Sequence, residues 1–293
     1  VSKIANSLAI LPLTLYSHSK SGKIEAYWDP VYRLLKNPAV EESPVLFWKT
    51  VARHILCSGN AYLFKHKDPA TGEVLSLEII DPVRCVVQRS STGRKLYSIS
   101  GARGGTFTDR DVIHIPYTGE GYDGTIGMAP CDVHRDLVQQ NDIISEYISI
   151  FFHNSLGSRI VLELGDKFEP GSQKLERLMQ ELRQYFKAFV SGPSNAGKPI
   201  IAPPNTSLKL LEQGSNVQTD TMALYKNSCN QIYAIYNVPP EVLDSSQSKY
   251  ASLEQKNQDF LTDCLRPLTL HIAQCLEKGL LDPADTKLFL EWD

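Results

Sequence analysis

Two kinds of hydrophobic pattern divide the chain. In the first half the apolar residues fall in short β-rich runs, Ala61–Lys65, Val74–Ile80, Arg84–Gln88, Lys95–Ile99 and Asp111–Ile115. Turn chemistry separates them, at Asp68-Pro69, Gly72, Asp81-Pro82, Ser91–Gly93 and Gly101–Gly105. Connections this short suit antiparallel hairpins better than crossover helices. Ahead of the runs, Ser43-Pro44 pairs a capping hydroxyl with proline at the first helical position. Phe47, Val51, Ile55 and Leu56 continue a helical face, and Gly59 is placed to end it.

The second half is helical in period. From Pro130 to about Asn154, Val133, Leu137, Ile144, Ile148 and Phe151 form one stripe. Roughly 25 residues at 1.5 Å each make a rod of ~37 Å. A compact chain of this length has a radius of gyration of about 19 Å, so the rod should cross the body or stand out from it. A second helix follows Ser172, through Leu175, Leu178, Leu182, Tyr185 and Phe189. A third follows Asp220, through Met222, Tyr225, Cys229, Ile232 and Tyr236. A fourth runs from about Ala251 to Lys278. Pro267 lies inside it, removes one backbone hydrogen bond and should kink it near Asp263.

Composition narrows the function. Thirty Lys and Arg against 33 Asp and Glu leave a formal charge of −3, which excludes a polybasic nucleic-acid clamp as the main design. No window approaches the ~18 unbroken apolar residues of a membrane span. The chain starts at Val1 without Met or a signal layout, and is read as a fragment of something longer. Cysteines at 57, 85, 131, 229, 264 and 275 form no C-x-x-C pair and no zinc spacing with histidine. They read as small buried thiols of a reducing, cytosolic compartment. Cys264 and Cys275, about three turns apart, would share a helix face without bridging.

Candidate chemistry is sparse. Gly119-x-Gly121-x-x-Gly124 matches a dinucleotide fingerprint, but the next helix starts only at Pro130 and no parallel strand follows. Gly192-x-x-x-x-Gly197-Lys198 matches most of a phosphate loop. Position 199 is Pro where a hydroxyl should hold magnesium, and the loop follows a helix instead of a strand. Asp109, Asp111 and His114 could be imagined as metal ligands. On a strand over 111–115, however, Asp111 and His114 point to opposite faces, which favours a strand-entry acid and a half-buried histidine. Ser246-x-x-Lys249 lacks the companions of a serine–lysine nucleophile. The expectation is no catalytic residue, no cofactor, no metal and no enzyme.

Read in order, a set of short words resembles the portal protein family of tailed, double-stranded DNA bacteriophages, in its long-tailed branch. They are Ile10–Tyr16, Leu34–Pro38, Gly59–Tyr62, Asp81-Pro82, Asp111–Ile115, Gly127–Pro130, Asn195–Lys198, Asn237–Pro240, Tyr250–Glu254 and Leu265–Leu268. Each is short, but their order and spacing cover almost all of the chain, and the resemblance implies that parts of both family termini lie outside it. The resemblance implies an α+β fold, elongated, with a mixed α/β wing, a two-helix stem, a small α/β clip and a long kinked C-terminal helix. Residues 1–127 would be the wing, 128–156 the first stem helix, 157–217 the clip and 218–242 the second stem helix. A tunnel loop would fill 243–252, and 253–293 would be the kinked helix and the start of the crown or wing return.

The implied function is a subunit of a ring, a dodecamer, that forms the DNA channel at one capsid vertex for packaging, motor docking, head–tail joining and ejection. The implied partners are further copies of itself, double-stranded DNA without sequence preference, the terminase large subunit, the major capsid protein and a head–tail adaptor, with no membrane. The implied places are the virion vertex and, during assembly, the host cytoplasm. The loop Asp244, Ser245, Ser246, Gln247, Ser248, Lys249 and Tyr250 would touch DNA, or else be a plain surface loop. Asn195, Gly197 and Lys198 would lie on the clip surface. Asp132, Asp136, Asp142 and Glu146 outnumber Arg135 on the first stem helix; they would form an acidic channel wall that keeps DNA centred over a Debye length of about 8–10 Å, or a solvated outer face. The alternatives are a nucleotide-driven translocase resting on Gly192–Lys198, and a helical scaffold or adaptor unrelated to phage.

Overall fold

In a computed structural model, which describes residues 1–19, 22–101, 104–118, 124–154, 160–164, 173–189, 206–210, 217–243, 250–283, 285 and 287–293, the chain divides into two units. The first is Val1–Arg135 with Tyr233–Asp293, and the second is Asp136–Ile232. The first unit opens with helix α1 (Ser2–Ile10), strands β1 (Leu13–Ser19) and β2 (Gly22–Glu25), and helices α2 (Pro30–Lys36) and α3 (Pro44–Ser58). Strands β3 (Asn60–Lys67), β4 (Val74–Ile80), β5 (Cys85–Arg89), β6 (Lys95–Ile99), β7 (Gly105–Thr108) and β8 (Val112–Pro116) follow, then the short helix α4 (Pro130–Val133). Helix α5 (Arg135–Asn154) leads into the second unit, which holds β9 (Ile160–Leu164), α6 (Gln173–Phe189), β10 (Thr206–Leu210) and most of α7 (Val217–Ile235). Helix α8 (Tyr250–Asp259), a π-helical turn (Phe260–Leu265), α9 (Arg266–Leu280) and β11 (Leu288–Trp292) return to the first unit.

The strands pair in orders β11-β1-β2, β4-β3-β8 and β5-β6-β7 in the first unit, and β10-β9 in the second. Every pairing among the described residues is antiparallel, as short turns require for β1–β2, β3–β4, β5–β6 and β6–β7. The main core lies between the sheets and three helices. Ile4 and Leu8 of α1, Phe47, Val51 and Ile55 of α3, and Ile272 and Leu276 of α9 are sealed from solvent against Leu15, Leu63 and Ile115 of the strands. Each such side chain contributes about 1.5–3 kcal/mol on burial. Tyr62, Ile80, Cys85, Tyr97, Ile99 and Val112 form a smaller second cluster.

Local chemistry explains the element ends. Ser43 Oγ accepts from Leu46 N at 3.4 Å to start α3, and Gly59 ends it in the left-handed region at φ 71°. The strand expected over 111–115 runs one residue later. Asp111 instead sits in the turn, its carboxylate taking Thr108 Oγ1 at 3.2 Å and Lys67 Nζ at 3.1 Å. The rod expected from 130 to 154 is interrupted at His134, whose φ −103°, ψ 38° leaves helical geometry. Pro267 takes effect where expected: the turn before it widens to a π-helix over Phe260–Leu265, one way to absorb a missing backbone donor.

Two further points differ from what the pattern offered. The pattern did not reveal the pairing of β1 with β11, which closes the first unit by joining its two ends, with Leu15 opposite Leu290. The cysteines are not uniformly buried: Cys85 and Cys264 are, Cys131, Cys229 and Cys275 are half-buried, and Cys57 is exposed. Among the described residues no helix is long and apolar enough to cross a membrane.

Candidate functional site

Two glycine-bearing segments meet backbone to backbone where α3 ends and α4 begins. A Cβ on Gly59 would lie 2.5 Å from the Met128 carbonyl carbon and 2.6 Å from Ala129 N. A Cβ on Gly127 would lie 2.3 Å from Gly59 O and 2.5 Å from Tyr117 N. Contacts that short leave no room for any side chain, so only glycine fits either position. Tyr117 N donates to Gly59 O at 2.7 Å, threading the end of β8 through the same junction.

Asn60 locks the junction. Its Nδ2 donates to Gly127 O at 2.8 Å and to Ser58 O at 3.1 Å, and its Oδ1 accepts from Gly127 N at 2.8 Å. His114 Nε2 lies 2.9 Å from the same Oδ1. An amide oxygen can only accept, so Nε2 carries the proton and Nδ1 is the bare nitrogen. That Nδ1 is buried with no hydrogen-bond partner among the described residues. The ring stacks on Tyr62 with centroids 4.7 Å apart. Burial, and then the charges of Lys95 and His271, push the His114 pKa down to about 3. His114 therefore acts as a neutral donor at physiological pH.

A second junction gathers around Tyr236, just past the end of α7. Tyr236 Oη donates to Leu56 O of α3 at 3.2 Å and lies 2.8 Å from Cys131 Sγ of α4. With the phenol proton on Leu56 O, the thiol donates to the phenol oxygen. The Tyr236 carbonyl accepts from Cys264 Sγ of the π-helical turn at 3.1 Å. Burial, and then the Cys131 contact, raise the phenol pKa far above its ordinary value. One side chain and its carbonyl thus tie together α3, α4, the end of α7 and the widened turn. Asn237 follows at φ 52°, and Val238 N donates back to Tyr233 O at 3.0 Å before Pro239-Pro240 turn the chain away.

In the second unit α5 and α7 touch through Ser228, whose buried hydroxyl donates to Asn141 Oδ1 at 3.0 Å. Leu137, Asn141, Ile144 and Ile148 are the half-buried side of α5. The four acids proposed for a channel wall do not form one row. Asp132 belongs to α4 and pairs with Arg135 at 3.6 Å, while Asp136, Asp142 and Glu146 are exposed on α5.

Asn195, Gly197 and Lys198 lie outside the described residues, as do Asp244–Lys249; Tyr250 is the first residue of α8. Of the glycine fingerprint, residues 119–123 also lie outside, and the Gly124 carbonyl accepts from Arg89 at 2.8 Å. Asp111 and His114 serve separate networks. Sequence reasoning missed Asn60 and Tyr236, although the glycines around Asn60 were visible as words of the family pattern.

A family model described as "Phage portal protein" matches residues 1–293. The chain is 25% identical over 283 residues to a probable portal protein of Streptomyces phage phiC31, covering 90% of this chain and 58% of that one; it thus spans less than two thirds of that relative. Among solved structures, the fold matches a chain in the neck of a native GTA particle computed with C12 symmetry, with TM-score 0.64 and 20% identity over 99% of this chain and 78% of the other. It also matches a HK97-family phage portal protein from Corynebacterium diphtheriae, with TM-score 0.66 and 12% identity over 99% of this chain and 88% of that one.

Proposed function

The chain belongs to the phage portal protein family, and on that premise we propose that it is one subunit of a twelve-membered ring forming the DNA channel at a capsid vertex. The match of the family pattern along the whole chain is the observation that carries this reading. The two junctions fit it mechanically. Asn60 and Tyr236 tie α3, α4 and the residues after α7 to one another through neutral hydrogen bonds.

On this reading residues 1–127 are the wing, α5 and α7 the stem, 157–217 the clip that meets the terminase large subunit and later the head–tail adaptor, and the loop after Pro239-Pro240 the segment that touches DNA. The wing meets the major capsid protein. The subunit is made in the host cytoplasm and ends in the virion, and it acts as a conduit without catalysis of its own. A near-neutral charge of −3 suits a channel through which DNA slides, since dense phosphate pairing would oppose movement. Class-averaged electron micrographs of the purified chain test the reading. Rings of about a dozen subunits support it; a strictly monomeric protein that turns over ATP in a Lys198-dependent manner refutes it in favour of a translocase.

A further inference from the structure

The exposed side of α5 carries two chemically different edges. At about 100° per residue, Asp142 and Glu146 lie about 100° and 140° around the helix from Asn141, the residue that reaches α7. Ile150 and Ile143 lie about 180° and 200° around, directly away from it. Ile143 is 67% exposed and Ile150 51% exposed. These two β-branched residues, one helical heptad apart and both turned to solvent, make a short apolar stripe opposite the subunit's own α7, with exposed Asp136 one heptad before Ile143 at about 220°.

Helix α7 has a matching outer side. Counted the same way from Ser228, Met222, Lys226, Asn230 and Ala223 lie about 120–220° around. Met222, Ala223 and Lys226 are exposed. From Met222 to Ile235 Lys226 is the single charge, whereas Asp136 to Ile150 on α5 holds three acids and no base. Two α5 stripes facing each other would set acids against acids. An α5 stripe against the outer side of another copy's α7 sets Ile against Met and Ala, with Lys226 near the acids. The heights agree as well. The chain leaves the first unit at the start of α5 and regains it at the end of α7, so the helices run in opposite directions. Ile143 and Ile150 then stand about 3–13 Å past Asn141, and Met222 about 9 Å past Ser228 in the same direction. Rotation in a closed ring keeps height constant, so the two surfaces can meet.

We infer that the Ile143–Ile150 edge of α5 packs against α7 of a second copy of this chain, leaving the Asp142–Glu146 edge to line the channel. This rests on the ring reading above and assigns the faces it leaves open. Native mass spectrometry of the full chain tests it. The Ile143→Asp/Ile150→Asp pair should raise the concentration needed for ring assembly at least about tenfold per contact, with unchanged circular dichroism, while Asp142→Asn/Glu146→Gln assembles normally. In rings of Ile143→Cys/Ala223→Cys, made in a background where the exposed Cys57 and the half-buried Cys229 are serine, a short bis-maleimide should join subunits into a ladder that neither single variant gives. A wild-type chain that stays monomeric overturns the ring reading. Rings that form from the Ile143→Asp/Ile150→Asp chain as readily as from wild type, or that give no ladder, overturn the face assignment alone.

Discussion

Replacing Asn60 by alanine would strip the α3–α4 junction of the side chain that serves both polar groups of Gly127 and the imidazole of His114. Ser58 is exposed, and its carbonyl would regain water. Gly127 is buried and His114 nearly so, leaving three polar groups in want of a partner. A stranded buried group costs about 1–3 kcal/mol. Water entering the vacated space trims the sum, so the expected loss is about 3–5 kcal/mol, a large part of an ordinary domain's stability of about 5–15 kcal/mol. The midpoint of thermal unfolding should fall by roughly 6–20 °C. Trp48 and Trp292 stack edge-to-face with centroids 5.7 Å apart in the main core, so tryptophan fluorescence during denaturant unfolding reads the relevant unit. Asn60→Asp adds a diagnostic. It keeps an acceptor for His114 but turns an oxygen toward the Gly127 carbonyl, and its charge favours protonated His114. Its deficit should shrink between pH 7.5 and 5.5, whereas that of Asn60→Ala should not. A loss below about 0.5 kcal/mol for Asn60→Ala, or identical pH behaviour of the two variants, would refute the locking role.

Three further outcomes follow from the same geometry. The folded pKa of His114 is depressed to about 3 and the unfolded one is about 6.5, so the unfolded state binds the extra proton between them. Its contribution to stability is intact above pH 6.5 and declines as pH falls, by about 2 kcal/mol at pH 5; His114→Gln should flatten this part of the profile in denaturant titrations. Gly59→Ala forces a Cβ into the Met128–Ala129 backbone and should cost about 2–4 kcal/mol in a thermal melt. Gly72→Ala, at φ 76° with nothing within 4 Å, should cost only about 1–2 kcal/mol for the left-handed backbone, and equal losses would remove the close-contact argument. Lys249→Glu should leave ring assembly intact yet impair DNA packaging or retention in a complementation assay; normal packaging would sink the channel assignment of that loop.

Periodicity alone was enough for the parts of this protein whose structure is set by near neighbours. The Ser43 cap, the Gly59 stop, the strands at Val74–Ile80 and Lys95–Ile99, and the helices after Ser172 and around Ala251–Lys278 are local events. Hydrogen bonds and side-chain spacing within a few residues decide them. Even the disturbance before Pro267 was legible, because a missing N–H acts four residues away. The pairing of β1 with β11 was not, since strand partners hundreds of residues apart leave no spacing to read. Nor were the roles of Asn60, His114 and Tyr236. A buried amide, imidazole or phenol is neutral as to partner until the fold brings Gly127, Cys131 and Leu56 within 3.2 Å of it. The sequence could count the acids of α5, but the bond from Ser228 to Asn141 sets which side of that helix is covered, and so which edges stay exposed.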